Sequence, residues 1–364
     1  MFKNVLIRII FPAWYKICCL RRTKNQALFI EVRERKISSN FSRVISCMKK
    51  EHPDVLLKTY FMRYGSCSRF NYIVRCLKLM PKLAKSKYVF LDESSNIIAA
   101  LKIKRSTKII QLWHGCGVLK KFGKSVNANA NYYGNEDMFL LSSDSVTWAY
   151  EEATGLSKDK FAPIGIPKTD VYFSDSYKKK CEKLREELLA GRNKKIILFA
   201  PTYRGNTTRP KDSKGLNLDL MCKNLSQEYI VIAKFHDSLG PGKPYSRCKD
   251  FYYDVTTKWT IEEAMGVCDL VVTDYSSLIF EYSLLNKPAI FYAYDFEDYA
   301  RYPGLYLDYM NEMPGPICES TIEIIKEIKS GGYDVAKMKN FRDKYMKCCD
   351  GLSTKRLISL VIGD

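Results

Sequence analysis

Two series of short apolar, β-branched runs, each run separated from the next by a stretch of helical periodicity, constrain the fold of this chain more than any other feature. In the first series the strand-like runs are "ALFIEV" at 27–32, "DVLLKTYF" at 54–61, "KYVFLD" at 87–92, "TKIIQLW" at 107–113 and "MFLLSS" at 138–143. Helical spacing occupies 38–50, 68–80 and 144–154 between them. The second series comprises "KKIILFAPT" at 194–202, "YIVIAKF" at 229–235, "DFYYDVT" at 250–256, "CDLVVTD" at 268–274 and "KPAIFYAY" at 287–294. Its helices are expected over 217–226, 260–266, 277–286, 321–330 and 334–348. Strands that are apolar throughout and alternate with helices predict parallel sheets covered on both faces, since a parallel connection has to cross over the sheet.

Two such series in 364 residues predict two α/β domains. The proline- and glycine-punctuated "KFAPIGIPKTDVYFSD" at 160–175 separates them, giving 23–172 and 173–364 after a basic segment at 1–22. The final segment, 353–361, is expected to be helical and to pack back on the first domain. In open parallel sheets ligands meet the carboxyl ends of strands, so a cleft between the domains is the expected active site.

Charge narrows the partners without choosing one. Lys and Arg number 59 against 40 Asp and Glu, a formal charge of +19, which favours nucleic acid, anionic lipid or a phosphorylated substrate. No zinc-finger or RNA-recognition signature accompanies that charge, so no nucleic acid is expected. The 13 cysteines lack any Cys-x-x-Cys pair and read mostly as reduced apolar filler, and the three histidines are scattered. Neither a metal nor a cofactor is expected.

The beginning, "MFKNVLIRIIFPAWYKICCLRR", is interrupted by Arg8, Pro12 and Lys16 and lacks a small-residue cleavage site, which argues against a signal peptide and a spanning helix. Its aromatics beside Lys3, Arg8, Lys16, Arg21 and Arg22 suit an anionic headgroup layer. A helix docked on the protein's own core is the alternative.

Neither GxGxxG nor GxxxxGK[ST] occurs, which removes support for dinucleotide oxidation and P-loop hydrolysis. The sharpest polar motifs instead fall just beyond expected strands. "TKIIQLWHGCGVLKKFGKS" places His114 after a strand, where a neutral imidazole can take a proton from an attacking hydroxyl. Gly115 and Gly117 would let backbone approach a substrate, and Lys120, Lys121 and Lys124 would surround an anion. "AKFHD" puts Lys234 and His236 on one face of a strand end, suited to two phosphates, or simply solvated there. "VVTDYSSLIFEYSLL" runs from Thr273 and Asp274 into a helix start at Ser276 and Ser277, a cap that can also bind phosphate, with Glu281 one turn on. Arg204, in "APTYRGN", offers a forked phosphate contact or a surface charge. It opens a polar, basic loop, 203–216, able to close over a ligand.

In this order and span, "QLWHGCGVLKKFG", "GIPKTDVYF", "ILFAPTYRGN", "AKFHD", "DLVVTDYSSLIFEYSLLNKPAIFYAYDFEDY", "GLYLDY" with "PGPI", and "DGLSTKRLI" resemble the bacterial CDP-glycerol glycerophosphotransferases, the teichoic acid primases and polymerases. That resemblance implies two Rossmann-like domains in a GT-B-like arrangement. It implies transfer of glycerol phosphate or ribitol phosphate from CDP-glycerol or CDP-ribitol to a hydroxyl of a prenyl-diphosphate-linked glycan or growing polymer, releasing CMP. His114 matches the family's general base, His236 the histidine near the donor pyrophosphate, and Asp274, Ser276 and Ser277 the donor-binding turn. Peripheral attachment to the cytoplasmic face of the bacterial cell membrane follows from the same resemblance, and homo-oligomerisation is left open.

Three departures qualify the match. Asp237 stands where proline is usual, Cys116 where threonine is common, and the arginine usual before the Gly-aromatic pair is missing, with Arg301 upstream as its substitute. The short N-terminal region argues against a large polymerase with added carbohydrate-binding repeats. A GT-B glycosyltransferase acting on a nucleotide sugar, a nucleic-acid-binding protein and a catalytically silent membrane organiser are the rival readings.

Overall fold

In the computed structural model, residues 2–206, 209–211, 215–235, 248 and 250–363 are described. The chain divides into two units. The first comprises 1–117, 121–170 and 347–364, and the second 118–120 and 171–346. The tail from 347 therefore belongs to the first unit rather than to the unit that precedes it in sequence.

The first unit is built on a six-stranded parallel sheet of β1 (Lys24–Glu31), β2 (Leu56–Phe61), β3 (Ser86–Leu91), β4 (Lys108–Gln111), β5 (Met138–Leu140) and β6 (Phe161–Ala162). Their order across the sheet is β2-β1-β3-β4-β5-β6. Phe29 and Phe90, on adjacent strands, stack at 4.7 Å and are fully buried, which is what strands covered on both faces require. Helix Ser39–Glu51 starts where Ser38 Oγ accepts the Phe41 N–H, and helix Arg69–Lys85 where Ser68 does the same for Asn71.

One side of the N-terminal segment docks on the protein's own core. Leu6, Phe11, Tyr15 and Cys18 are buried in the same core cluster as Leu79 and Leu83 of helix Arg69–Lys85. Ile9, Trp14, Ile17 and Leu20 remain exposed on the other side.

The tail is tied to the "GIPKTD" stretch. Asp170 accepts the N–H groups of Ser353 and Thr354 at 3.0 and 2.8 Å, satisfying donors at the start of helix Ser353–Ile362. Gly165, at φ 90°, brings its backbone so close to Cys348 that an added Cβ would lie 2.3 Å from the Cys348 carbonyl oxygen. Two motifs quoted for the family resemblance thus hold each other in place.

The second unit carries β7 (Lys195–Ala200), a hairpin of β8 (Arg204–Asn206) and β9 (Arg209–Lys211), then β10 (Tyr229–Ala233), β11 (Tyr252–Asp254), β12 (Leu270–Thr273), β13 (Ala289–Tyr292) and β14 (Ile317–Cys318). Its six-stranded sheet is parallel, in the order β11-β10-β7-β12-β13-β14. Counted from β7, this is the 3-2-1-4-5-6 order of a doubly wound nucleotide-binding sheet. The stretch read as a loop after Tyr203 includes the antiparallel hairpin pairing Arg204 with Lys211. Two short edge strands, β6 and β14, escaped the sequence reading because two residues carry no periodicity.

The cysteines depart from the sequence reading at one pair, Cys222 and Cys248, which form a disulfide, while 11 others are free. Among the described residues, no helix is long and apolar enough to cross a membrane.

Candidate functional site

Each sheet reverses its strand order once, and polar residues gather at the carboxyl ends beside each reversal. In the first unit the reversal lies between β1 and β3, whose ends bring Glu31 and Asp92 into the interior, both at least 95% buried by surface area. Glu31 Oε1 accepts the Ser38 N–H at 2.6 Å. Burial pushes both carboxyls up, and the neighbouring Asp92 charge adds to the rise at Glu31.

His114 follows the next strand, β4. Its Nδ1 lies 3.1 Å from the backbone carbonyl oxygen of Asp92. A carbonyl can only accept, so the hydrogen sits on Nδ1 and the lone pair on Nε2. Desolvation by surrounding protein lowers the imidazole pKa to about 4, the Asp92 carbonyl works against that, and Lys168 and Arg33 lower it further. The residue is nonetheless solvent-exposed. With its pKa held low, His114 is neutral at pH 7.

The residue before it explains how the ring is held. Trp113 has φ 59°, in the left-handed region that bulky side chains avoid. Its carbonyl accepts from Asn40 Nδ2 at 2.6 Å, and its N–H donates to Gln111 Oε1 at 3.2 Å. The indole packs on His114, Phe122 and Phe139, with centroids 4.3, 5.4 and 5.7 Å away. Asn40 Oδ1 also accepts the Lys168 N–H at 2.9 Å, so one buried amide ties the "WHG" turn to the "GIPK" turn.

The glycines do less for a ligand than their spacing suggests. An added Cβ on Gly115 would meet Trp113 Nε1 at 3.2 Å, and Gly117 donates to Ser142 Oγ while accepting from Tyr150 OH. Gly115 makes room for the indole, whereas Gly117 sits at φ 59°, in the left-handed region that favours glycine. Cys116 is buried, Lys121 half-buried and Lys124 exposed.

In the second unit the reversal lies between β7 and β12, and one guanidinium spans their ends. Arg204 Nη1 donates to Asp274 Oδ2 at 2.8 Å. Its Nε and Nη2 grip Asp295 at 2.7 and 2.9 Å. Asp274 Oδ1 accepts the Thr202 N–H at 2.8 Å. The guanidinium lies within 5.3 Å of the ring centroids of Tyr275, Tyr294 and Tyr299. Burial pushes the Asp274 carboxyl up, and Arg204 and Thr202 act against it. The sequence left Arg204 as a phosphate contact or a surface charge; each of its three guanidinium nitrogens donates to a carboxylate, which makes it a brace for the turn.

Other candidates sort around this cluster. Lys120 Nζ lies 5.4 Å from the Tyr299 ring centroid, and its backbone forms an isolated antiparallel bridge with Leu305. Burial lowers its pKa to about 8, with Asp274 opposing and Arg204 assisting. Thr273 Oγ1 donates to the Ala200 carbonyl at 2.7 Å, closing the sheet at the reversal. Ser276 Oγ accepts the Leu278 N–H, and Ser277 is exposed at the start of helix Leu278–Ser283. Lys234 is buried with Nζ on the Thr256 carbonyl at 2.8 Å. Glu281 is buried and accepts from Tyr172 OH at 3.0 Å, which makes it a packing group rather than part of the turn's open face. Arg301 is 78% exposed and 3.6 Å from Asp298. His236 lies outside the described residues.

Asp92, Asn40, Asp295, Tyr275 and Tyr299 were missed by sequence reasoning. Asp295 and Tyr299 left a signal as the acid and aromatic of "YDFEDY", and Tyr275 stands inside "VVTDYSS". Among the described residues no group of three or more His, Cys, Asp or Glu side chains could hold a metal.

The model of the CDP-glycerol:poly(glycerophosphate) glycerophosphotransferase family matches residues 14–363. The chain belongs to that family. As a family member it is 30% identical over 350 residues to the teichoic acid poly(ribitol-phosphate) polymerase of Bacillus spizizenii, covering 93% of this chain and 56% of the relative. It is 28% identical over 354 residues to the ribitol-phosphate polymerase TarL of Staphylococcus aureus, covering 93% and 62%. The chain thus spans under two thirds of the length of these two curated relatives. The solved structure of the wall teichoic acid polymerase TagF superposes with a TM-score of 0.77 at 20% identity, over 99% of this chain and 94% of that one. This family member therefore has the GT-B-like fold of two Rossmann-like sheets.

Proposed function

We propose that this family member transfers glycerol phosphate or ribitol phosphate from a CDP-alditol to a hydroxyl of a prenyl-diphosphate-linked glycan or growing teichoic-acid-like polymer. The observation that carries the reading is the state of His114: neutral, oriented by the Asp92 carbonyl and offering Nε2 in the loop that matches the family's base. In the reaction Nε2 takes the acceptor hydroxyl proton as that oxygen attacks the β-phosphorus of the donor. One phosphorus–oxygen bond forms, the bond to CMP breaks, and CMP leaves with the electron pair.

The donor side falls to the second unit. Lys120 supplies positive charge, and Ser276 and Ser277 supply hydroxyls at the β12 end. Arg204, Asp274 and Asp295 keep that turn in one arrangement, so they act through the residues that touch the donor. Lys234 braces the strand that leads to His236, and His236, in the "AKFHD" motif that resembles the family's, offsets charge on the donor pyrophosphate. The protein works as a peripheral protein on the cytoplasmic face of the membrane, through the exposed side of its N-terminal helices.

Mass spectrometry of products from CDP-glycerol, CDP-ribitol and prenyl-linked acceptors tests this directly. CMP release with a mass gain of one alditol phosphate is the expected result. Sugar transfer from a nucleotide sugar without alditol-phosphate transfer would overturn it.

A further inference from the structure

A cavity of about 500 Å³ in the first unit carries Arg21, Lys58, Lys78, Lys82 and Lys85 around Tyr60. Lys58 projects from β2, the edge strand; Lys78, Lys82 and Lys85 come from helix Arg69–Lys85; Arg21 follows helix Phe11–Cys18. Lys85 immediately precedes the first residue of β3, whereas Asp92 and His114 follow the carboxyl ends of their strands. The cavity therefore belongs to the other end of the sheet from the catalytic candidates.

Among the described residues no carboxylate lines it. Among the described residues none of the five cations has an ion-pair partner. A lysine on an exposed edge strand deters edge-to-edge pairing, which explains Lys58 alone. The convergence of helix lysines and Arg21 on the same hollow concentrates like charge, and a bound anion relieves it.

The surroundings say which anion. Trp14 Nε1 donates to the Leu77 carbonyl at 3.1 Å, fastening the N-terminal helix beside Lys78. Trp14, Ile17 and Leu20, on that helix and the turn after it, are 40%, 57% and 87% exposed. Apolar and aromatic side chains adjoining a cluster of cations suit a lipid headgroup layer, whereas a soluble anion has no use for the apolar stripe.

We propose that this cavity receives the phosphate of an anionic lipid headgroup while the Trp14, Ile17 and Leu20 stripe enters the acyl boundary. The proposal rests on the membrane-surface reading above and adds the headgroup site to it.

Co-sedimentation of the full chain with vesicles of phosphatidylcholine alone, or of phosphatidylcholine and phosphatidylglycerol in equal parts, tests it. Selective, salt-sensitive binding to the anionic vesicles is expected, with a loss of about thirty-fold for the neutralised pair Lys78→Gln with Lys82→Gln, since each cation near the surface is worth roughly a factor of five. If that pair fails the thermal-unfolding check, Lys58→Gln with Lys85→Gln replaces it. Anionic-vesicle binding that survives both pairs overturns the headgroup site and leaves the membrane reading standing. No binding to either vesicle overturns both, and the transferase assay above is independent of that result. Loss of vesicle binding on adding soluble poly(ribitol phosphate), with the polymer bound by the free protein and released by the lysine substitutions, assigns the cavity to polymer and overturns the lipid.

Discussion

The Asp92 carbonyl and His114 Nδ1, 3.1 Å apart, decide which nitrogen of the candidate base is free. The partner is a backbone oxygen, so the tautomer does not depend on the ionisation of any side chain. His114→Ala is expected to lower turnover by about 10²–10⁴-fold with donor affinity retained. Single-turnover assays beside equilibrium donor binding check this; unchanged turnover removes His114 as base.

The pH profile follows from the same group. A base works only when unprotonated, and His114 is held at about 4 against an ordinary 6.5. The acid limb it causes should therefore lie near the lower value, as read by kcat against pH and by imidazole NMR. An acid limb near 6.5 tracked to His114 would contradict the geometry.

Lys120 sets the opposite limb. Its charge is lost as pH rises through about 8. Donor affinity should weaken across that range, and Lys120→Arg should abolish the weakening because a guanidinium stays charged. Lys120→Ala should cost roughly thirty-fold in donor Kd at pH 7, about 2 kcal/mol for a hydrogen bond to a charged group. Titration calorimetry at several pH values separates the two variants.

Arg204→Ala leaves the buried Asp274 carboxylate without its cation. The expected loss of stability is about 3 kcal/mol or more, read by denaturant unfolding. Arg204→Lys should recover little, since one ammonium cannot serve Asp274 and Asp295 with the same fork.

Asn40 is a positioning residue with two partners on separate turns. Asn40→Ala should cost about 1–3 kcal/mol and lower kcat more than it raises the donor KM. Asn40→Asp can still accept from Lys168 but has no N–H for Trp113, so it should restore stability in part and leave kcat low.

Legibility in the sequence followed the range of the interactions. The strand at 87–92 and the helix at 321–330 were readable because apolar periodicity and capping act between near neighbours. His114 and Asp274 were readable as candidates because polar residues at the ends of apolar runs stand out along the chain. The functions of Arg204 and Glu281 were not. One is claimed by carboxylates 70 and 91 positions away, the other by a tyrosine 109 positions away.

By itself, then, the sequence determined the two parallel sheets, the family and the loops that carry the candidates, all of which rest on local pattern and motif order. Tertiary structure alone decided which nitrogen of His114 is available and that Arg204 is a brace. Those outcomes depend on which distant donor meets which acceptor once strand order is set, and a backbone carbonyl such as that of Asp92 leaves no mark in the amino-acid alphabet.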